Sequence, residues 1–342
     1  MKADSIEKTI LEDVVSTMLE HEISVQDSGN VSGKLHKKRG GVQKVLREMM
    51  RDKYLYLLAI PGILYFILFK YVPMYGILIA FQDFSPYLGF SASPWVGFEH
   101  FSRLFTEDAF WVLLRNTLAI SSLNLLLFFP LPIVLSLLLN ELKNQFYKRT
   151  IQSLVYLPHF LSWVIIASLT LMLFGKTDGV VNYFLNLLGF ESIDVLTNPK
   201  AFWFLLTGQS IWKEVGWGTI IFLAAIAGVN TELYEAVKID GANRFKQVWH
   251  VTLPAIRNVI VILLILRLGV VLEVGFEQVF LMYNGAVSDV AEIFDTYVYR
   301  VGIQQGQFSY STAVGLFKSV VGLVLVVVSN KLSKRFGEEG LY

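Results

Sequence analysis

Six stretches of this chain are apolar for long enough to cross a bilayer, and no other feature restricts its fold as strongly. Crossing roughly 30 Å of hydrocarbon as a helix takes about 20 mainly apolar residues. Such runs lie at about 54–80, 112–139, 153–174, 201–229, 255–283 and 312–329. Lipid offers no partner to a backbone N–H or C=O, so runs of this kind must be helices that satisfy their own backbone. Composition agrees: 54% of the 342 residues are hydrophobic and only 17% charged, and the mean hydropathy of +0.53 is too high for an average soluble protein. The expected fold is an all-α polytopic membrane protein with six transmembrane helices.

Cations gather in alternate connections. Lys34, Lys37, Lys38, Arg39, Lys44, Arg47, Arg51 and Lys53 precede the first stretch, and Lys143, Lys148 and Arg149 follow the second. Lys238, Arg244, Lys246 and Arg257 surround the connection between the fourth and fifth, and Lys331, Lys334 and Arg335 follow the sixth. The other connections hold only Arg103, Arg115, Lys176, Lys200 and Arg300. By the positive-inside rule, both termini and the 230–254 connection are expected in the cytoplasm. The net charge of +1 is thus segregated by membrane side and gives no hint of nucleic acid as a partner. With no cysteine there is no disulfide framework, thiol nucleophile or cysteine-held metal. The first stretch is too long, and lacks the small-residue cleavage site, for a removed signal peptide.

The 230–254 connection is a charged island between apolar runs. Leu233, Ala236, Val237 and Ile239 give a short helix an apolar side, with Glu232, Glu235, Lys238 and Asp240 on the wet one. Gly241 then interrupts it, at a left-handed cap or a close backbone approach. A second helix over 242–250 is expected to carry Phe245, Val248 and Trp249 as a ridge, and Pro254 to open the next membrane segment.

Residues Glu235-Ala236-Val237 through Gly241 and Ala242 to Val251-Thr252-Leu253-Pro254 resemble the cytoplasmic coupling loop of permease subunits of ATP-binding-cassette importers. That loop reads Glu-Ala-Ala, three residues, Gly, nine residues, Ile, one residue, Leu-Pro, and its spacing is kept here over 20 positions. Val237 and Val251 replace Ala and Ile. Family-like runs also occur at 79–83, Phe98-Glu99-His100-Phe101, Phe110-Trp111, Asn116-Thr117 and 156–162. The runs 275–284 and 293–302 resemble the maltose-type branch that serves complex oligosaccharides and polysaccharide fragments. The likeness covers about 54–336. It implies a type I importer permease (MetI-like) in a bacterial inner membrane. It further implies a second, different permease, two ATP-binding subunits and an external sugar-binding protein. ATP and Mg2+ would be held by the ATPase, with no cofactor or metal on this chain and no catalysis by it. Glu235 would pin the coupling loop, Gly241 permit its turn, and Phe245 and Trp249 supply buried area, beside Ala236, Ala242, Leu253 and Pro254.

Candidate substrate-pathway residues come from polar groups at membrane depth. The fourth stretch gathers glycines and polar groups and is expected to be broken, with Gln209, Trp212 and Trp217 facing a pathway. Lys213 and Glu214 are read as lying near the outer interface, the lysine snorkelling. In the fifth stretch Glu273 and Glu277 are four apart and predicted to share a helix face with Gln278 nearby. They would accept hydrogen bonds from sugar hydroxyls or pair with the partner subunit; Arg267 is expected to pair with another helix. His159, with no carboxylate or second histidine at ligand spacing, reads as a packed residue.

The aromatics Phe84, Tyr87, Phe90, Trp95, Phe98, Phe101, Phe105, Phe110 and Trp111 suggest an interfacial helix before the second stretch. Residues 1–50 read as a cytoplasmic tail, an amphipathic helix on Ile6, Ile10, Val14 and Met18 followed by a basic linker, and 51–342 as the permease domain. Gly29 to Lys34 is one residue short of a phosphate-binding loop. Three other readings stay open: a permease for a glycerol-phosphate ester, an ion-coupled secondary transporter, and an enzyme acting on lipid-linked sugar.

Overall fold

A computed structural model of the chain describes residue 51, residues 53–335, and residues 337 and 340. The tail helix and the phosphate-loop look-alike lie outside the described residues. The chain divides into two compact units, Met1–Val72 and Pro73–Tyr342. Among the described residues there is no β-strand, only an isolated antiparallel bridge between Gln82 and Trp95.

Among the described residues four helices are long and apolar enough to cross a membrane: Lys53–Phe81, Asp108–Glu141, Pro199–Ala227 and Phe308–Arg335. Two bent pairs, Gln145–Phe160 with Trp163–Phe174 (102°) and Arg244–Ala255 with Arg257–Gly269 (60°), raise the number to six if each is one span. The apolar stretches are therefore mainly helical, but two of them are interrupted.

The breaks fall elsewhere than the sequence suggested. The fourth stretch, expected to be broken, is an uninterrupted helix of 29 residues, started by the Asn198 side chain and by Pro199 in its first turn. Two of its glycines admit neighbours instead. A Cβ at Gly216 would lie 2.2 Å from the carbonyl oxygen of Val155, and one at Gly218 would lie 2.9 Å from Pro132. Small residues let membrane helices approach closely, and the same device joins the fifth and sixth stretches, where a Cβ at Gly322 would lie 2.4 Å from the Gly269 carbonyl oxygen.

The third stretch breaks at Leu161–Ser162, just after Pro158; Ser162 is extended (ψ 155°) and its hydroxyl caps the next helix at Ile165 N. The fifth breaks between Gly269 and Phe276, with Gly275 at φ +98°. Glu273 therefore lies in non-helical backbone and Glu277 in the following helix, Phe276–Met282. The two do not share a helix face, because a left-handed glycine stands between them. Pro254 does not open the membrane segment either. It sits in the last turn of the connection, after a widened π turn (Val248–Thr252), and the membrane helix starts at Arg257. A π turn relieves the clash a helical proline makes with the carbonyl four residues back, and the second helix uses it too, at Asn124–Phe128 before Pro130.

Before the second span the aromatics form no single interfacial helix. Residues 82–98 are a folded loop with one helical turn at Gly89–Ala92, Glu99–Thr106 is a short helix, and Phe110 is buried in a core with Leu104, Phe294, Tyr297 and Tyr310. Glu107 fastens this core: its carboxylate accepts from Tyr297 (2.9 Å), Tyr310 (2.7 Å) and Arg103 (2.6 Å).

Candidate functional site

Two features stand out, a polar cavity and an exposed apolar knob. The cavity, about 330 Å³, is bounded by Asn124 and Phe128 of the second stretch, Trp163 of the third, Ser210, Glu214, Trp217 and Gly218 of the fourth, and Arg267, Glu273, Val274, Gly275 and Gln278 of the fifth. The helix breaks supply much of it. Trp163 begins the helix after the third-stretch break, and Glu273 to Gly275 are the non-helical residues of the fifth.

Three of the six expected pathway residues, Trp217, Glu273 and Gln278, come together on this cavity. Gln209 stands behind it, 7% exposed, in a closed amide network. Gln209 Nε2 donates to Thr170 (2.7 Å), while Gln278 Nε2 donates to Gln209 Oε1 (3.0 Å) and to the Leu206 carbonyl (2.7 Å). Ser210 donates to Gln278 Oε1 (3.1 Å). Buried amides are paid for by such complete pairing. Trp212 and Glu277 are exposed and do not line the cavity.

Lys213 does not snorkel. It is 8% exposed, and its ammonium donates to the carbonyls of His159 (2.7 Å) and Leu161 (2.6 Å), the groups left bare by the third-stretch break. Nor is His159 without a carboxylate. Its Nδ1 lies 2.7 Å from Glu214 Oε2, and its ring stacks on Trp217 at 4.4 Å and 4°. Its partners lie 55 residues further on in the chain, beyond any local spacing. Among the described residues no group of three or more His, Asp and Glu is arranged to hold a metal. Sequence reasoning missed Asn124, Phe128, Trp163 and Ser210. An asparagine inside an apolar run was the available signal for the first; the others carry none.

The knob is the 230–254 connection. Helix Thr231–Ile239 is capped by Asn230, whose side chain accepts from Glu232 N (3.0 Å). It ends in two reverse bonds, Ala242 N to Val237 O (2.9 Å) and Gly241 N to Lys238 O (3.1 Å), around Gly241 at φ +75°. That is the Schellman end, in which only glycine is at ease in the left-handed position. Nothing lies within 4 Å of a Cβ built there, so conformation and not crowding within this chain requires the glycine. Asn243 then caps the second helix at Lys246 N (2.9 Å). Tyr234 OH meets Thr252 Oγ1 at 3.0 Å, and Arg244 pairs with Glu141 at 2.6 Å.

Ile239 (86%), Phe245 (73%) and Trp249 (61%) stay exposed. Val248, expected in the ridge, is half-buried. Glu235, Ala236 and Pro254 are also exposed, while Ala242 and Leu253 are half-buried. Glu235 does not cap the segment: the two asparagines do.

Comparison with known proteins gives this arrangement a context. The chain is 55% identical over 300 residues to the polygalacturonan/rhamnogalacturonan transport system permease protein YteP of Bacillus subtilis, covering 88% of this chain and 94% of that protein. It is 56% identical to protein LplB of the same organism over 294 residues, 86% of this chain and 92% of LplB. Among solved structures it resembles a chain of a bacterial alginate ABC transporter, crystallised with an alginate pentasaccharide-bound periplasmic protein. The TM-score is 0.79 at 39% identity, covering 86% of this chain and 99% of that one. Residues 129–338 match the family described as "Binding-protein-dependent transport system inner membrane component". Cavity, knob and helix breaks all lie wholly or largely within that match, and the chain belongs to this family of inner-membrane transport components.

Proposed function

We propose that the chain is the membrane-spanning permease subunit of an ATP-driven importer for oligosaccharides or polysaccharide fragments. The observation that carries this reading is a mechanical one: a single helix, Arg257–Gly269, joins the two features. It starts at the 60° bend that ends the knob and brings Arg267 to the cavity wall, with Glu273, Val274 and Gly275 following in the break. A displacement of the knob is thereby delivered to the cavity by a rigid element, as alternating access requires.

In this reading the knob occupies a cleft on an ATPase subunit, which alone binds ATP and Mg2+. Glu235, Ala236, Gly241, Ala242, Phe245, Trp249, Leu253 and Pro254 form the coupling surface. Both termini and this surface lie in the cytoplasm. The half-cavity seen in this chain is completed by a second, different permease, and an external sugar-binding protein delivers the substrate. Trp217, Glu273 and Gln278 contact the sugar directly. A glycerol-phosphate ester is a poorer fit, because a phosphate dianion would meet two carboxylates, Glu214 and Glu273, and one guanidinium.

The test is purification through a C-terminal tag, followed by reconstitution of whatever remains bound. Recovery of an ATPase, a second permease and a saccharide-binding protein, with ATP turnover raised by saccharide, is the expected result. Recovery of this chain alone from well-solubilised membranes, transporting on an ion gradient, would overturn the reading.

A further inference from the structure

Among the described residues Arg267 forms no ion pair. It lines the cavity at membrane depth, where an unpaired charge is expensive and retained for a purpose. Its one close partner among the described residues is the ring of Phe128, 5.6 Å from the guanidinium carbon. Glu214, across the cavity, is already taken by His159 at 2.7 Å and Lys213 at 3.8 Å. Glu273 shares the cavity wall but makes no ion pair with Arg267.

Beside Arg267 is an unfilled acceptor. Asn124 is 4% exposed, and its Oδ1 has no hydrogen-bond partner. It lines the same cavity, and with Arg267 and Glu273 also an adjoining smaller space. That oxygen is enclosed within the protein, out of reach of a ligand in the cavity.

We propose that Arg267 binds the carboxylate of an acidic sugar residue, a uronate. This rests on the importer reading above and narrows its substrate to uronate-bearing oligosaccharides. A guanidinium matches a carboxylate with two parallel hydrogen bonds. Glu273, exposed on the same wall, suits the remaining hydroxyls, and the single negative charge of a uronate tolerates Glu214 and Glu273 better than a phosphate dianion would. The related alginate transporter imports an acidic polysaccharide, which is consistent with this chemistry.

The experiment uses the complete complex with its own binding protein in proteoliposomes. Trigalacturonate, its fully methyl-esterified form and a neutral arabino-oligosaccharide are compared as stimulants of ATP turnover. Wild type is expected to prefer the acid to the ester. Arg267→Gln should raise the half-saturating concentration of the acid about tenfold and leave that of the ester unchanged, erasing the preference. Arg267→Lys, which keeps the charge, should retain most of it. Three outcomes would overturn the proposal: a wild type indifferent to esterification, an Arg267→Gln complex with the wild-type preference, or an Arg267→Gln chain that sheds the second permease, which would assign the arginine to an ion pair between subunits. Stimulation by the neutral sugar alone would remove the uronate and leave the importer standing; no stimulation by any of the three would count against both.

Discussion

The ammonium of Lys213 lies 2.6 Å from the carbonyl oxygen of Leu161 and 2.7 Å from that of His159, so a lysine of the fourth helix closes the wound in the third. Breaking a helix in an apolar setting leaves carbonyls without donors. One buried ammonium, whose side chain is 10% exposed, supplies two of them. The bend in turn places Trp163 on the cavity wall, and the neighbouring residue Glu214 holds His159 against Trp217.

Removing that ammonium should therefore be costly. Lys213→Met keeps the length and apolar stem but strips both carbonyls of their donor, a loss of about 3 kcal/mol for two charge-assisted bonds. The expected outcome is a clear fall in the thermal midpoint of the detergent-purified complex, with impaired uptake. Lys213→Arg, which still donates, should recover part of both. An unchanged midpoint in Lys213→Met would show that water or lipid replaces the ammonium.

Gly241 separates conformation from contact. Aspartate tolerates the left-handed region better than most residues, and nothing lies within 4 Å of a Cβ at this position. Gly241→Asp is thus expected to insert, at a cost of about 1–2 kcal/mol for the left-handed backbone. Uptake should nevertheless be abolished, because a carboxylate then stands where the ATPase must dock. Uptake at the wild-type rate in that variant would remove the coupling role from this turn.

What was legible in the sequence follows from what is local. Apolar length and periodicity are properties of contiguous residues, so the mainly helical character of the apolar stretches and both short helices around Gly241 were readable, the latter to within a few residues. Polar pairing at membrane depth is not local. Lys213 looked like a snorkelling lysine because its acceptors lie 52 and 54 residues earlier. The glycines of the fourth stretch looked like helix breakers, although Gly216 and Gly218 admit Val155 and Pro132. Glu273 and Glu277 looked like a helical pair until Gly275 turned the backbone between them. Helical spacing carries no information across a break that a tertiary contact stabilises.

The glycines of the helix interiors should divide into two groups. A Cβ at Gly322 would lie 2.4 Å from the Gly269 carbonyl oxygen, and backbone cannot yield cheaply, so Gly322→Ala is expected to cost about 1–3 kcal/mol. At Gly208 a Cβ meets nothing within 4 Å, and Gly208→Ala should be neutral or stabilising by up to about 1 kcal/mol. Thermal midpoints of the two variants, measured side by side, check this. Equal shifts would mean that the fifth and sixth helices pack less tightly than described.

Acid should loosen the core around Glu107. Burial alone raises this carboxyl, but hydrogen bonds from Tyr310, Arg103 and Tyr297 outweigh it and hold the group below its ordinary value of 4.5. A carboxyl whose folded value is lowered adds stability that is present above the unfolded value and lost as pH falls through the folded one. The wild-type thermal midpoint should therefore decline below about pH 4.5, as protonation takes the charge from a carboxylate that three donors hold. Glu107→Gln cannot titrate. It should start lower at neutral pH, since a neutral amide accepts more weakly from Arg103 and the two tyrosines, and then show a shallower acid limb. Parallel acid limbs for the two proteins would place the acid sensitivity on another group.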